Sequence, residues 1–368
     1  MNNQLHNQSY RGAYEAELAD QLRSALIEAT GGQIVSSGLA WEDSEHHRLD
    51  LLLTLTVGGE SVDIAVEMLR NGYPRDIREA VWHLDEFRLS SGREHGLIPM
   101  VAAESLSPGA KELLRKRGIG YFERNGTLYL RWRHWLINIE RPRRTSAKKK
   151  SAALFTDARE KVVHALLVHR NEWLTGSELA ELAETSTYTC SKVLRELELR
   201  EWCESSGAGR TLRRRLIQPE KLLDAWGEEW VSRKDTRSRW YVFANKPDAL
   251  LMHLTYQIER AKITTPWAFT GAAAANVYAP LLTSTDTAEI IVSQGQAELL
   301  ANALGLKPAE KGGNVTLVER DGASLLFRDL HPDYPSYFAS PFILYLDLLD
   351  GRGRNKELAQ HVREKLEL

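Results

Sequence analysis

Only two cysteines, Cys190 and Cys203, occur among 368 residues, too few for a disulfide framework or a cysteine-based zinc site. A reducing, cytoplasmic setting is expected from such usage. Long apolar runs are missing as well: no uninterrupted stretch approaches the ~18 residues needed to cross a bilayer, so no membrane partner is expected. The opening MNNQLHNQSYRG lacks the apolar core of a secretory signal. Neither sign of charge dominates, because 48 Lys and Arg stand against 50 Asp and Glu for a net charge of -2. That balance argues against an indiscriminate binder of polyanions. What remains, 43% hydrophobic and 27% charged residues, is the composition of a globular protein. The length exceeds one ordinary core, and two or three domains are expected.

Charge is unevenly spread. Arg131, Arg133, Arg141, Arg143, Arg144, Lys148, Lys149 and Lys150 face a single acid, Glu140, in the stretch 131–150. Such density suits a solvated linker or contact with a polyanion. Within it, RRTSAKKKS (143–151) has no apolar periodicity and reads as a linker. A second break is expected at SRKDTRSR (232–239). The resulting segments are 1–145, 150–231 and 236–368, with no internal repeat.

The first segment predicts an amphipathic helix over 14–30, closed by Gly31 and Gly32. Leu49, Leu51, Leu53, Leu55 and Val57 alternate with other residues, Gly58-Gly59 supplies a turn, and Val62, Ile64, Val66 and Met68 alternate again. With that turn, residues whose numbers sum to 117 would face each other. Asp50 would then oppose Glu67 with Cβ atoms about 5 Å apart, and Arg48 would oppose Leu69. Two adjacent carboxylates suit a divalent cation such as magnesium, or are simply solvated on a sheet face. A helix over 76–89, a strand over 97–102, a helix opened by Ser107-Pro108 and strands over 120–123 and 127–131 follow. This segment resembles the restriction-endonuclease-like family, whose motif is an acid on one strand and E-x-K on the next. The resemblance implies metal ligation by Asp50 and Glu67, with Glu15 or Glu17 as the helix acid. Leu69 stands where the family has lysine. Arg48 could bind phosphate there but does not deprotonate, so it is no general base. A degenerate nuclease domain is the reading.

The middle segment predicts a helix over 157–169, a short helix over 179–184 and a third over 187–199. The early residues of the third helix, Thr187, Tyr188, Thr189, Ser191 and Lys192, are small, polar or basic, as in a helix whose N-terminal end enters a major groove. Trp202 to Glu204, a Ser-Ser-Gly-Ala-Gly tip, and the strand from Arg210 to Ile217 read as a β-ribbon. Arg210, Arg213, Arg214 and Arg215 suit phosphate contacts. Over 155–220 the chain resembles bacterial winged-helix regulators, which bind DNA; a winged helix used only for protein contact is the plainer alternative.

In the last segment, Trp267 to Ala275 pairs an aromatic strand end with Thr-Gly and a small-residue helix, and strands are expected near 288–292, 315–318 and 324–327. The end of the chain predicts two helices around Gly351-Arg352-Gly353. This resembles the minimal nucleotidyltransferase fold, whose active members use two alternating strand aspartates for magnesium. Asp286 and Glu289 are three apart, on opposite faces of one strand, and Gly271-Ala272 lacks the family's hydroxyl. Catalysis is therefore not expected here. Thr270 to Ala274, Ser340-Pro341, Tyr345 to Leu348 and Gly351 to Gly353, together with the winged helix, resemble AbiEi-like antitoxins of type IV toxin–antitoxin systems. That resemblance, over 155–368, implies binding to operator DNA, repression of the protein's own operon, and a separate nucleotidyltransferase as the toxin.

The expected architecture is multidomain α/β and α+β: a degenerate restriction-endonuclease-like domain, a winged helix-turn-helix and a nucleotidyltransferase-like domain. The expected function is a bacterial DNA-binding transcriptional regulator without a cofactor. Two other readings stay open, a metal-dependent endonuclease targeted by its winged helix and a non-catalytic scaffold.

Overall fold

A computed structural model describes residues 2–42, 48–91, 96–133, 135–141, 154–246 and 249–368, with side chains from residue 14 onward except at 40–48 and 210. The expected linker over 143–151 lies outside them. The chain divides into two compact units, Met1–Lys149 with Leu199–Glu201, and Lys150–Glu198 with Trp202–Leu368. Both mix helices with β-sheet.

In the first unit, α1 (Asn2–Thr30) leads into β1 (Gln33–Glu42), β2 (Arg48–Val57) and β3 (Glu60–Gly72). Then follow α2 (Pro74–Ser90), β4 (Leu97–Leu106), α3 (Pro108–Lys116), β5 (Gly120–Glu123), β6 (Leu128–Trp132) and β7 (Trp135–Ile139). The strands lie side by side in chain order in one sheet. β1 to β3 form an antiparallel meander. β3, β4 and β5 run parallel, and β5 to β7 are antiparallel again. The parallel pairs require crossovers, and α2 and α3 provide them. Strand alternation splits the apolar side chains between two cores. Leu51, Leu53, Leu55, Ile64 and Val66 pack with Leu18, Leu22 and Leu26 of α1 on one face. Ala65, Val101 and Tyr121 pack with Ile77, Leu84 and Leu114 of α2 and α3 on the other. The Gly58-Gly59 turn has positive φ at both glycines, +59° and +85°, as a two-residue hairpin of this hand requires. The register follows the sum of 117 from Val57↔Glu60 to Leu51↔Val66.

The second unit opens with α4 (Asp157–Val168), β8 (Leu174–Thr175), α5 (Gly176–Leu182), α6 (Thr187–Leu199), β9 (Cys203–Ser206) and β10 (Arg213–Leu216). It continues through α7 (Pro219–Val231), β11 (Thr236–Tyr241), α8 (Leu250–Ala261), β12 (Trp267–Thr270), α9 (Gly271–Tyr278), β13 (Ala288–Val292) and α10 (Ala297–Ala303). It ends with β14 (Lys307–Pro308), β15 (Val315–Glu319), β16 (Asp329–His331), β17 (Tyr334–Phe338), α11 (Pro341–Asp347) and α12 (Asn355–Lys365). β8, β10 and β9 make a small sheet; the larger one has the order β14-β11-β15-β13-β12-β17-β16.

The expected break at 232–239 is not a linker. β11 occupies its second half and pairs with β15. Its polar side chains are used internally: Arg233 pairs with Glu160, Asp235 with Arg320, and Arg237 with Glu289. One hydrophobic cluster runs from Val162 and Leu194 through Trp226 and Trp230 to Ile290, Leu346 and Val362. The helices of the middle segment and the C-terminal sheet therefore share a core.

Candidate nucleic-acid interface

The short α5 is fixed by a reciprocal cap. Thr175 Oγ1 accepts from the Glu178 amide at 3.2 Å, and the Glu178 carboxylate accepts from the Thr175 amide at 2.7 Å. Those bonds hold the Glu178 carboxyl below its ordinary range. α6 begins where Ser186 Oγ accepts from the Thr189 amide at 3.2 Å. Cys190, Val193, Leu194 and Leu197 bury one side of α6. The opposite side carries Tyr188, 70% exposed, with Ser191, Lys192 and Arg195, also exposed. Spacings of three, four and seven put these four on one stripe.

Among the sequence-expected residues of α6, Thr187, Tyr188, Ser191 and Lys192 are presented to solvent. Thr189 is half-buried, and its hydroxyl meets Ser186 Oγ at 2.9 Å, so it serves the cap. Arg195 was missed by reading only the helix start; its spacing from Tyr188 is the signal that finds it. It has no ion-pair partner among the described residues. The Lys192 ammonium sits 5.3 Å from the Tyr188 ring, which keeps both on the stripe.

β9 and β10 form the expected ribbon, from Arg213↔Ser206 to Leu216↔Cys203. Its tip turns at Gly207, where φ is +84° and a Cβ would lie 2.6 Å from the Thr211 carbonyl. The arginines are not equivalent. Arg213 is exposed near Glu178. Arg214 Nε donates to Glu198 on α6 at 2.7 Å, joining ribbon to helix, and Ser205 shares that carboxylate. Arg215 pairs with Glu204 at 2.6 Å and lies 5.0 Å from the Trp173 ring. The Arg210 side chain lies outside the described residues. Arg214 and Arg215 would each have to exchange a carboxylate for a phosphate, whereas Arg213 would not. Both thiols are buried: Cys190 is pushed up to about 11 and Cys203 to about 12, so neither is a thiolate near neutrality.

α4 is tied to the turn after β15 and to the start of α11. His164 is wholly buried; Nδ1 donates to the Ala323 carbonyl at 3.0 Å and Nε2 accepts from the Ser340 hydroxyl. Burial pushes its pKa down to about 3, so the ring is neutral. Glu160, 2% exposed, accepts from Trp226 Nε1 at 3.0 Å and from Arg233. Asp347 accepts from Trp230 Nε1 at 3.1 Å, from Arg320 Nη1 at 2.6 Å and from the Thr270 hydroxyl.

Elsewhere the structure changes the expected geometry. The β2–β3 ladder stops at Leu51↔Val66. Asp50 does not continue it opposite Glu67; its carboxylate accepts from the Met68 amide at 2.7 Å, taking up a donor that a continued ladder would use. Glu67 is buried, with His83 Nδ1 3.5 Å from its carboxylate. Glu17 pairs with Arg124 at 2.5 Å, and Glu15 is half-buried. β2 contains Arg48, whose side chain lies outside the described residues; its expected partner Leu69 is not opposite it in the ladder. No group of three or more His, Cys, Asp or Glu that could hold a metal occurs among the described residues.

Asp286 precedes β13, so Asp286 and Glu289 are not opposite faces of one strand as expected. At Gly271, φ is +69° and a Cβ would meet Glu289 side-chain carbons at 3.0 Å. Burial raises the Glu289 carboxyl, against the pull of Arg237 at 3.2 Å. The glycine permits close packing on an acid.

Residues 215–367 match the family model described as transcriptional regulator, AbiEi antitoxin, type IV TA system. The match covers less than half of the chain and begins in β10, later than residue 155 where the sequence resemblance starts. Among solved structures, the chain is similar to a repair endonuclease from Pyrococcus abyssi, with 16% identity over 28% of this chain and 45% of that one and a TM-score of 0.21. It is also similar to EndoMS in apo form, with 22% identity over 30% of this chain and 44% of that one and a TM-score of 0.21. The chain spans less than half the length of either, and likenesses at this score carry no argument. No curated protein matches. Among the described residues no helix is long and apolar enough to cross a membrane.

Proposed function

We propose, on the premise that residues 215–367 belong to the AbiEi family of type IV toxin–antitoxin transcriptional regulators, that this protein reads operator DNA in its own promoter and represses that operon. In this reading α4, α5 and α6 with the β8-β10-β9 sheet act as a winged helix-turn-helix. α6 enters the major groove, with Thr187, Tyr188, Ser191, Lys192 and Arg195 toward base edges. Arg213, with Arg210, takes backbone phosphates. Arg214 holds the ribbon on α6, and Arg215 braces the ribbon itself through Glu204. The larger sheet is a nucleotidyltransferase-like domain used for support, and the partner is a separately encoded nucleotidyltransferase toxin.

The exposed stripe Tyr188-Ser191-Lys192-Arg195 on α6, with the exposed Arg213 on the ribbon, carries the proposal. It puts Lys192, Arg195 and Arg213 on the exposed surface of a chain of nearly zero net charge, and local charge is what a polyanion meets. A gel-shift titration on the protein's own promoter tests it. Lys192→Ala with Arg195→Ala should weaken binding about tenfold or more and reduce discrimination against unrelated DNA. Arg213→Ala should weaken binding to all sequences and flatten the log–log salt slope by about one. Unchanged affinity in both would overturn the assignment.

Leu69 leaves Asp50 and Glu67 without the lysine of E-x-K chemistry, so binding without cleavage is the function these residues support. Magnesium- or manganese-dependent cleavage of linear DNA that disappears in Asp50→Ala would reverse that conclusion.

A further inference from the structure

The first unit carries a basic surface that the winged helix does not use. β7 is the last strand of its sheet, and with β6 it forms a hairpin registered from Leu128↔Ile139 to Trp132↔Trp135. Alternation sends Leu128, Leu130, Ile137 and Ile139 into the core. The other face carries Tyr129, Arg131, Leu136 and Asn138, and these line an open groove of about 490 Å³ together with Arg115 from α3, Arg133 from the turn and Trp135. Three arginines line it and no acid does.

These arginines differ in freedom. Arg115 is held: its guanidinium lies 5.1 Å from the Tyr129 ring and 5.6 Å from Tyr121, and it pairs with Glu140 at 2.6 Å. Arg133 stacks at 4.5 Å on Trp132 and stands 3.8 Å from Glu60, an exposed and weak pair. Arg131 is exposed, lies opposite the exposed Leu136, and has no ion-pair partner among the described residues. The sequence then continues through Arg141, Arg143, Arg144 and Lys148 to Lys150, six basic residues in ten.

We infer that the outer face of β6 and β7 is a second nucleic-acid contact, which takes the phosphate backbone of duplex DNA through Arg131 and Arg133. Arg115, held by Tyr129 and paired with Glu140, lines the groove without being free to take a phosphate. A duplex fits better than an unpaired strand. The rings that could stack on bases are already taken, Tyr129 by Tyr121 at 5.3 Å and by Arg115, and Trp135 is half-buried against Trp132. Backbone contact carries no sequence information, so this face adds affinity and salt dependence and leaves base choice to α6. The inference goes beyond the operator-reading proposal and fails separately from it.

The test uses the full chain and fluorescence anisotropy with a labelled duplex of about 30 base pairs lacking the promoter sequence, at about 50 mM salt. Arg131→Glu with Arg133→Glu should weaken binding at least about tenfold and lower the salt slope by about two, while preference for the promoter over the random duplex persists. Arg131→Gln with Arg133→Gln should show the same trend at wild-type melting temperature, which separates lost charge from lost fold. Unchanged affinity and slope would overturn the inference. So would complete loss of random-duplex binding when only Lys192, Arg195 and Arg213 are reversed to glutamate. Displacement of the DNA by polyglutamate, sensitive to Arg131 and equal in strength per charge, would reassign the face to an acidic protein.

Discussion

At Gly271 a left-handed backbone and a crowded neighbour coincide. Alanine there adds strain of about 1–2 kcal/mol for the positive φ, plus an overpacking cost against Glu289 of about 1–3 kcal/mol. Gly271→Ala should therefore lower the thermal midpoint by several degrees; a melting curve that matches the wild type would show that α9 can shift without penalty. The two cysteines make a quieter prediction. With both thiols buried and pushed upward, native protein should resist iodoacetamide near neutral pH while urea-unfolded protein labels at both positions. Rapid labelling of the native chain would mean that α6 or the ribbon opens readily.

Elements depend on their ends. Thr175→Ala removes one half of the cap on α5 and should cost about 1 kcal/mol in chemical denaturation. Gly207→Ala should distort the ribbon tip, since its Cβ would strike the Thr211 backbone, and weaken DNA binding with little change in the helices by circular dichroism. Legibility in the sequence followed element type. α6 was readable because Val193, Leu194 and Leu197 recur with helical period, and the β2–β3 register because Gly58-Gly59 fixes the turn. β1 escaped because its sequence, QIVSSGLAWE, dilutes alternation with Ser and Gly. β7 escaped because only two residues separate it from β6, so both read as the end of one strand. The polar run at 232–239 was misread because its charges find partners distant in sequence, Glu160, Arg320 and Glu289, which no local pattern discloses. Asp50 eluded the hairpin arithmetic for a related reason, since a side chain replaced a backbone partner.

On the scale of the second unit, buried polar groups tie α4 and α7 to each other and to the start and end of α11. His164 gives this a pH signature. Its folded pKa near 3 lies below its ordinary value of 6.5, so the unfolded chain takes up a proton between those values and the folded chain does not. Stability from this residue is full above pH 6.5 and declines by about 1.4 kcal/mol per pH unit on acidification toward 3. The stability difference between wild type and His164→Gln should thus shrink as pH falls; a constant gap from pH 7 to 4 would contradict a neutral, proton-excluding site. Asp347→Asn removes one of the two carboxylates that answer the buried Arg320, leaving Asp235, and should destabilise by about 1–3 kcal/mol in chemical denaturation. Because this core is shared, the middle helices and the C-terminal sheet should unfold together, and amides in α4, α7 and β13 should exchange with hydrogen–deuterium rates that rise at one denaturant concentration.

The continuity of the hydrophobic cluster from Val162 to Val362 limits how this chain can be re-engineered. A stop codon after α7 would strip Trp226 and Trp230 of their cover and leave sticky fragments. Moving the α6 surface into another protein would require residues from about 154 onward as one cassette, because the helices that seat it do not have a core of their own.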